Sequence, residues 1–157
     1  MTLSIFNYIS VLVPLAILWL LPLYLRRYGF AREEHYRWLL YVACLLFFVS
    51  WYLPSPLIDG QDTSFVTHVV GGGIFTGLLW WYLKLAIGWK AHWLVESFAL
   101  FALVSALGSI NELAELFMVK TGIANILLDD TSWDILANTV GAAAVYLVYV
   151  VSQSKKS

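Results

Sequence analysis

Five apolar stretches, each about twenty residues long and almost free of charge, alternate with short polar connections along this chain. A helix needs about 20 apolar residues to cross ~30 Å of hydrocarbon. A backbone in lipid must also satisfy its own N–H and C=O groups, which a helix does. The pattern therefore predicts an all-α integral membrane bundle of about five transmembrane helices, at roughly 5–25, 38–53, 65–83, 92–117 and 132–151, in a single domain spanning 1–157. Composition agrees: 61% of the residues are hydrophobic and 12% are charged, and a soluble domain of this size would leave too much of that apolar surface in water. Pro14 and Pro22 fall inside the first stretch as tolerable kinks, and Pro54 and Pro56 close the second. Nothing basic precedes the first stretch, which is also too long for a signal-peptide core, so it is expected to remain as an anchor.

The cations orient the bundle. Arg26, Arg27, Arg32 and Arg37 lie between the first and second stretches, Lys84 and Lys90 between the third and fourth, and Lys155 and Lys156 after the fifth. Only Lys120 breaks the alternation. Positive connections stay in the cytoplasm, which puts the amino terminus outside and the carboxyl terminus inside. The two remaining connections carry Asp59 and Asp62, and Asp129 and Asp130. Trp51, Trp80, Trp81, Trp89, Trp93 and Trp133 fall near expected helix ends, where indoles anchor at the headgroup zone. There is no basic stripe of the kind that binds nucleic acid. The expected partner is membrane lipid, and the chain is expected to cross the membrane several times. The single Cys44 has no partner for an internal disulfide and suits a small buried position.

Ionisable residues inside a span are costly and point to function. His68 lies one turn from the outer end of the third stretch, and Glu112 and Glu115 one to two turns from the outer end of the fourth. Asp130, Asp134 and Asn138 run at i, i+4, i+8 into the fifth, near one helical face. His68, Glu112, Glu115, Asp134 and Asn138 thus sit about 5–10 Å below the outer surface at 1.5 Å per residue. Small residues at Gly73 and Gly77, and at Ala137 and Gly141, have the spacing that lets helices approach closely.

Each of these residues also has a plain structural role available. Thr131 and Asp134 match a capping box, Asp129 and Asp130 suit a helix start, and Asn138 suits an interhelical link. Glu96 suits an ion pair near Lys90 and His92, and Glu33, Glu34 and His35 suit a solvated loop. Glu112 is the hardest to explain in this way, because no Lys or Arg shares its depth.

Taken together, His68, Glu112, Glu115 and Asp134 could share a divalent metal. An oxygen-rich set with one imidazole suits Mg²⁺, Mn²⁺, Ca²⁺ or iron better than zinc. Alternatively, like charges keep some carboxyls protonated. Glu112, Asp134 and His68 are the candidate catalytic groups, with Asn138 and Asp130 as ligand contacts. No HExxH, P-loop or nucleophile elbow occurs.

Three pieces of sequence resemble the VanZ-like family of small bacterial membrane proteins and related inner-membrane proteins. They are THVVGGG after an acidic outer loop, NELAEL, and DDTSWDILANTVGA with Asp134, Asn138 and Gly141 in a D-x3-N-x2-G pattern. The likeness covers about residues 62–144. It departs where Asp62 stands six residues ahead of His68 with Thr63 after it, and where Glu115 replaces a usual Gln with no Arg beyond it. The resemblance implies a multi-pass fold in a bacterial inner (plasma) membrane and an association with teicoplanin-type resistance, against which these departures weigh, but no settled reaction. The residues leave three functions open. One is metal-assisted modification of a phospholipid or polyprenyl carrier, the second binding or transport of a cationic or lipid ligand, and the third a structural subunit.

Overall fold

The computed structural model describes residues 5–58, 61–123 and 131–154. Helix α1 is Ile5–Arg27, α2 Glu33–Tyr36 and α3 Trp38–Ser50. A small hairpin comes next, β1 (Leu57–Ile58) against β2 (Gln61–Asp62), with Leu57 opposite Asp62. The central helix then runs from α4 (Phe65–Thr67) through a π-helix (His68–Ile74) into α5 (Phe75–Ile87). Helices α6 (Trp93–Lys120) and α7 (Thr131–Ser154) complete the chain.

Among the described residues, four helices are long and apolar enough to cross a membrane, in the spans Ser10–Arg27, Phe65–Ile87, Trp93–Lys120 and Ser132–Ser154. The second expected span falls short. α3 has 13 residues, a rise of about 20 Å, and stops at Ser50 where an end near Leu53 was expected. Tight turn bonds from Tyr52 N–H to Val49 O and from Leu53 N–H to Ser50 O close it. Pro54 then disfavours a helical conformation at Leu53. The Thr67 hydroxyl also donates to the Ser50 carbonyl, at 3.2 Å. The other four reach one to four residues further than expected at their inner or outer ends.

Neighbouring contacts fix the directions. Pro14 O accepts from Cys44 Sγ while Arg26 reaches Glu33, so α1 and α3 are antiparallel. Ser50 meets Thr67 at one end, and Glu33 meets Tyr82 at the other, so α3 opposes the central helix. Tyr146 donates to Trp93 O, and Asn138 lies beside Gly108, so α6 and α7 are antiparallel. The central helix and α7 run parallel, with Asp134 beside His68 and Val145 beside Gly77.

The tightest seam joins the π-helix to α7. A Cβ on Gly73 would collide with Asn138 O, and one on Gly141 with Val69 O, so backbone rests on backbone. A Cβ on Gly77 would stand 2.7 Å from Val145 Cβ. Close approach of this kind maximises dispersion contacts where lipid supplies no hydrophobic drive. On the other side, Leu39, Leu40, Ala43, Tyr82 and Ala86 form a core between α3 and α5. Cys44 is buried there, as its apolar setting implied.

Two expectations at the arginine-bearing end are corrected. Glu33 is fully buried instead of solvated, because Arg37 grips both its oxygens at 2.7 and 2.8 Å, Arg26 Nε donates at 3.1 Å, and Tyr82 OH at 3.3 Å. The Arg37 hydrogen bonds hold its carboxyl below the usual glutamate range, against an opposing effect of burial. Trp80 is not an interfacial anchor. It is buried edge-on against Tyr146 and Tyr149, with centroids at 5.5 and 5.4 Å.

Candidate functional site

Two parallel helices present an acid and an imidazole to each other. His68 opens the π-helix and Asp134 lies in the first turn of α7. His68 Nε2 stands 3.3 Å from Asp134 Oδ1, with the side chains 18% and 6% exposed. A carboxylate in that position holds the imidazole ring in one orientation.

The local sequence explains the geometry. Gly71, Gly72 and Gly73 have no Cβ and weak preference for an α-helical turn. Their segment adopts the wider π form, a rare conformation that recurs at functional sites. A Cβ on Gly72 would overlap the Asn138 side-chain amide, so Asn138 occupies room left by that glycine. On the other flank its Nδ2 lies 3.5 Å from where a Gly108 Cβ would be. Asn138 is buried, and its Oδ1 has no hydrogen-bond partner among the described residues. An unmet buried acceptor costs about 1–3 kcal/mol, so it marks a place for a donor.

Register sets the level of Glu112. Gly108 of α6 flanks Asn138 of the antiparallel α7. One turn outward on each helix come Glu112 and Asp134. Glu112 Oε1 is sealed from solvent. Glu115, one turn further out, accepts from Asn111 Nδ2 of its own helix at 2.8 Å. Asp59, Asp129 and Asp130 lie outside the described residues, and so does the Thr131 side chain that the capping box requires. Among the described residues no three His, Cys, Asp or Glu side chains converge in a way that could hold a metal ion.

An apolar cavity of about 200 Å³ is lined by Pro56, Thr63, Phe65 and Trp133. Phe65 is one turn before His68, and Trp133 directly precedes Asp134. The two rings meet edge-on at 6.4 Å. Ordinary small-molecule pockets have about 300–1,000 Å³, so this one has room for only part of a larger apolar ligand.

At the opposite end of the same helices is a second polar centre, with a pairing other than the one expected. Glu96 forms its ion pair with Lys84, not with Lys90. It also accepts from Ala91 N–H at 3.3 Å. Lys84 Nζ lies 4.4 Å from the Tyr149 ring centroid and 5.4 Å from that of Trp80. A lysine and a glutamate at one depth on consecutive helices were the available signal.

Comparison with protein-family profiles, curated proteins and solved structures finds no match to this chain. The VanZ-like resemblance rests on the sequence motifs alone.

Proposed function

We propose that this chain is a five-span protein of a bacterial inner membrane, amino terminus outside, whose outer-side pocket acts on the headgroup region of a phospholipid or polyprenyl carrier. The alternating helix directions and the clustering of Arg26, Arg37 and Lys84 at the end opposite His68 support this orientation. The second crossing is then α3 with the apolar turn residues Trp51, Tyr52 and Leu53 that follow it.

The observation that carries the reading is the His68–Asp134 pair, next in their helices to Phe65 and Trp133, which line an apolar cavity. In this proposal His68 takes a proton from a nucleophile, water or a lipid hydroxyl, and returns it to the leaving oxygen of an ester or phosphoester. Asp134 holds the ring and stabilises its charge. Asn138 Oδ1 accepts a hydrogen bond from the substrate, and Glu112 completes the polar wall. The cavity between Phe65 and Trp133 takes the first carbons of the chain.

The test is conversion of lipid in reconstituted vesicles containing a phospholipid mixture and polyprenyl phosphate, read by mass spectrometry. His68→Gln and Asp134→Asn should abolish a product that the exposed control Lys120→Gln retains. Lipid profiles identical for the parent and His68→Gln defeat the catalytic reading. Lipid retained without product makes the site a binding pocket.

A further inference from the structure

The segments that bear His68 and Asp134, 54–68 and 112–134, carry seven carboxyls against one lysine, Lys120, and one imidazole, His68. Whatever bonds these groups make with one another, they sum to a negative charge. α6 turns two of the carboxyls toward the bundle. Its buried residues Glu96, Leu100, Val104 and Gly108 recur at every fourth position. The same row continues through Glu112 and Glu115 to Met118, which is buried again. Both glutamates are half-buried, whereas Phe98, Ile110, Leu113 and Phe117 stay exposed on the other side.

An uncharged group lies deeper. Asn138 is 7% exposed, stands one turn below Asp134 on α7, and is flanked by Gly72 and Gly108. Those glycines are each one turn from His68 and Glu112. The amide therefore sits one turn below the level of His68, Glu112 and Asp134. Its Oδ1 has no hydrogen-bond partner among the described residues. An unmet acceptor calls for a donor, and the surrounding charge favours a cation.

We infer that the outer pocket takes a phospholipid whose headgroup carries a primary ammonium. The ammonium N–H groups donate to Asn138 Oδ1 and to the Glu112 carboxylate. An anionic headgroup is repelled by the same carboxyls. A trimethylammonium headgroup brings the charge but has no N–H to offer. The neighbouring apolar cavity lined by Phe65 and Trp133 makes a lipid the source of the amine. The inference rests on the headgroup reading proposed above and names its substrate class.

The experiment titrates the purified full chain in detergent with dihexanoyl phosphatidylethanolamine, phosphatidylcholine or phosphatidylglycerol and reads the thermal midpoint. The parent should bind the ethanolamine lipid about tenfold more tightly than either of the others, the weight of one hydrogen bond to a charged group. Glu112→Gln nearly keeps the shape, removes the charge and should lose that preference. An unchanged preference in this variant overturns the inference. If it does not fold, Glu115→Gln decides in the same way. A shift with none of the three lipids overturns the headgroup reading itself, whereas equal shifts with all three leave that reading standing and overturn only the ammonium. Equal binding of the choline and ethanolamine lipids means charge without a donated hydrogen bond. Equal binding of glycerophosphoethanolamine means a soluble amine, and stabilisation by Mg²⁺ in place of any amine makes the carboxyls a cation site. Each of these three outcomes overturns the inference.

Discussion

Lys84 and Glu96 meet as an ion pair sealed from solvent on both sides, with side chains 6% and 7% exposed. Two aromatic faces cover the ammonium. Removing one partner strands the other charge in an apolar setting, which costs about 3–5 kcal/mol in buried pairs. Lys84→Met should therefore lower the thermal midpoint in detergent sharply, and Glu96→Gln nearly as much. The double variant should recover most of the loss. A double variant as unstable as the singles would show that the aromatic packing of Lys84, not the charge pair, holds α5 to α6.

Glycine substitutions should sort by what a new Cβ meets. At Gly141 it meets backbone, which cannot move aside without separating π-helix and α7. At Gly108 the nearest atom is Asn138 Nδ2, at an ordinary contact distance of 3.5 Å. Gly141→Ala should cost several times more stability than Gly108→Ala, whose improved helix propensity offsets part of any loss by up to about 1 kcal/mol. Thermal unfolding of the two purified variants compares them directly.

Acid should loosen the arginine-bearing end. The folded pKa of Glu33 is lowered, so its contribution is fully present above the usual glutamate range. It is lost as pH falls through the lowered folded value. Unfolding midpoints should fall across that acidic window. Arg37→Gln removes the largest cause of the shift and should flatten the profile while lowering stability at neutral pH. An unchanged profile in Arg37→Gln would remove Glu33 as the titrating group.

Topology is open to labelling. In a Cys44→Ala background, single cysteines at Ser55 and Ile123 should react with an impermeant reagent from outside intact cells. A cysteine at Tyr28 should react only after lysis. Reaction of the Tyr28 position in intact cells inverts the orientation.

Much of this architecture was legible because lipid imposes simple rules. Helices α1, α6 and α7 are visible in hydropathy, and the spacing of Gly73, Gly77 and Gly141 marks the seam they occupy. The common depth of His68 and Asp134 predicted a meeting, and the two side chains stand 3.3 Å apart. The features that stayed hidden depend on partners far apart in sequence. Glu33 looks like a loop charge until Tyr82, 49 residues away, closes over it. Trp80 looks like an anchor because helix ends are read only to a few residues, and α5 continues to Ile87. The π-helix has no hydropathy signature; three glycines without side chains leave no periodic pattern to mark its winding. The shortness of α3 was concealed by the apolar Trp51, Tyr52 and Leu53, which suit a span in composition but lie in a turn.

The π-helix acts as a phase shifter between two polar centres of one rod. Each residue added to a helix rotates the two portions it joins by about 100° relative to each other. His68 is aimed by the portion before the shift, while Tyr82 and Lys84 are aimed by the portion after it. Deleting Val70 would let the rod rewind as an ordinary α-helix. Phe75 onward would keep its contacts with α3 and α7, and the imidazole would swing away from Asp134 by about that angle. One residue of length thus sets the angular offset between the His68–Asp134 pair and the Lys84–Glu96 ion pair, and a chain shortened by that residue keeps its fold while losing the first pair.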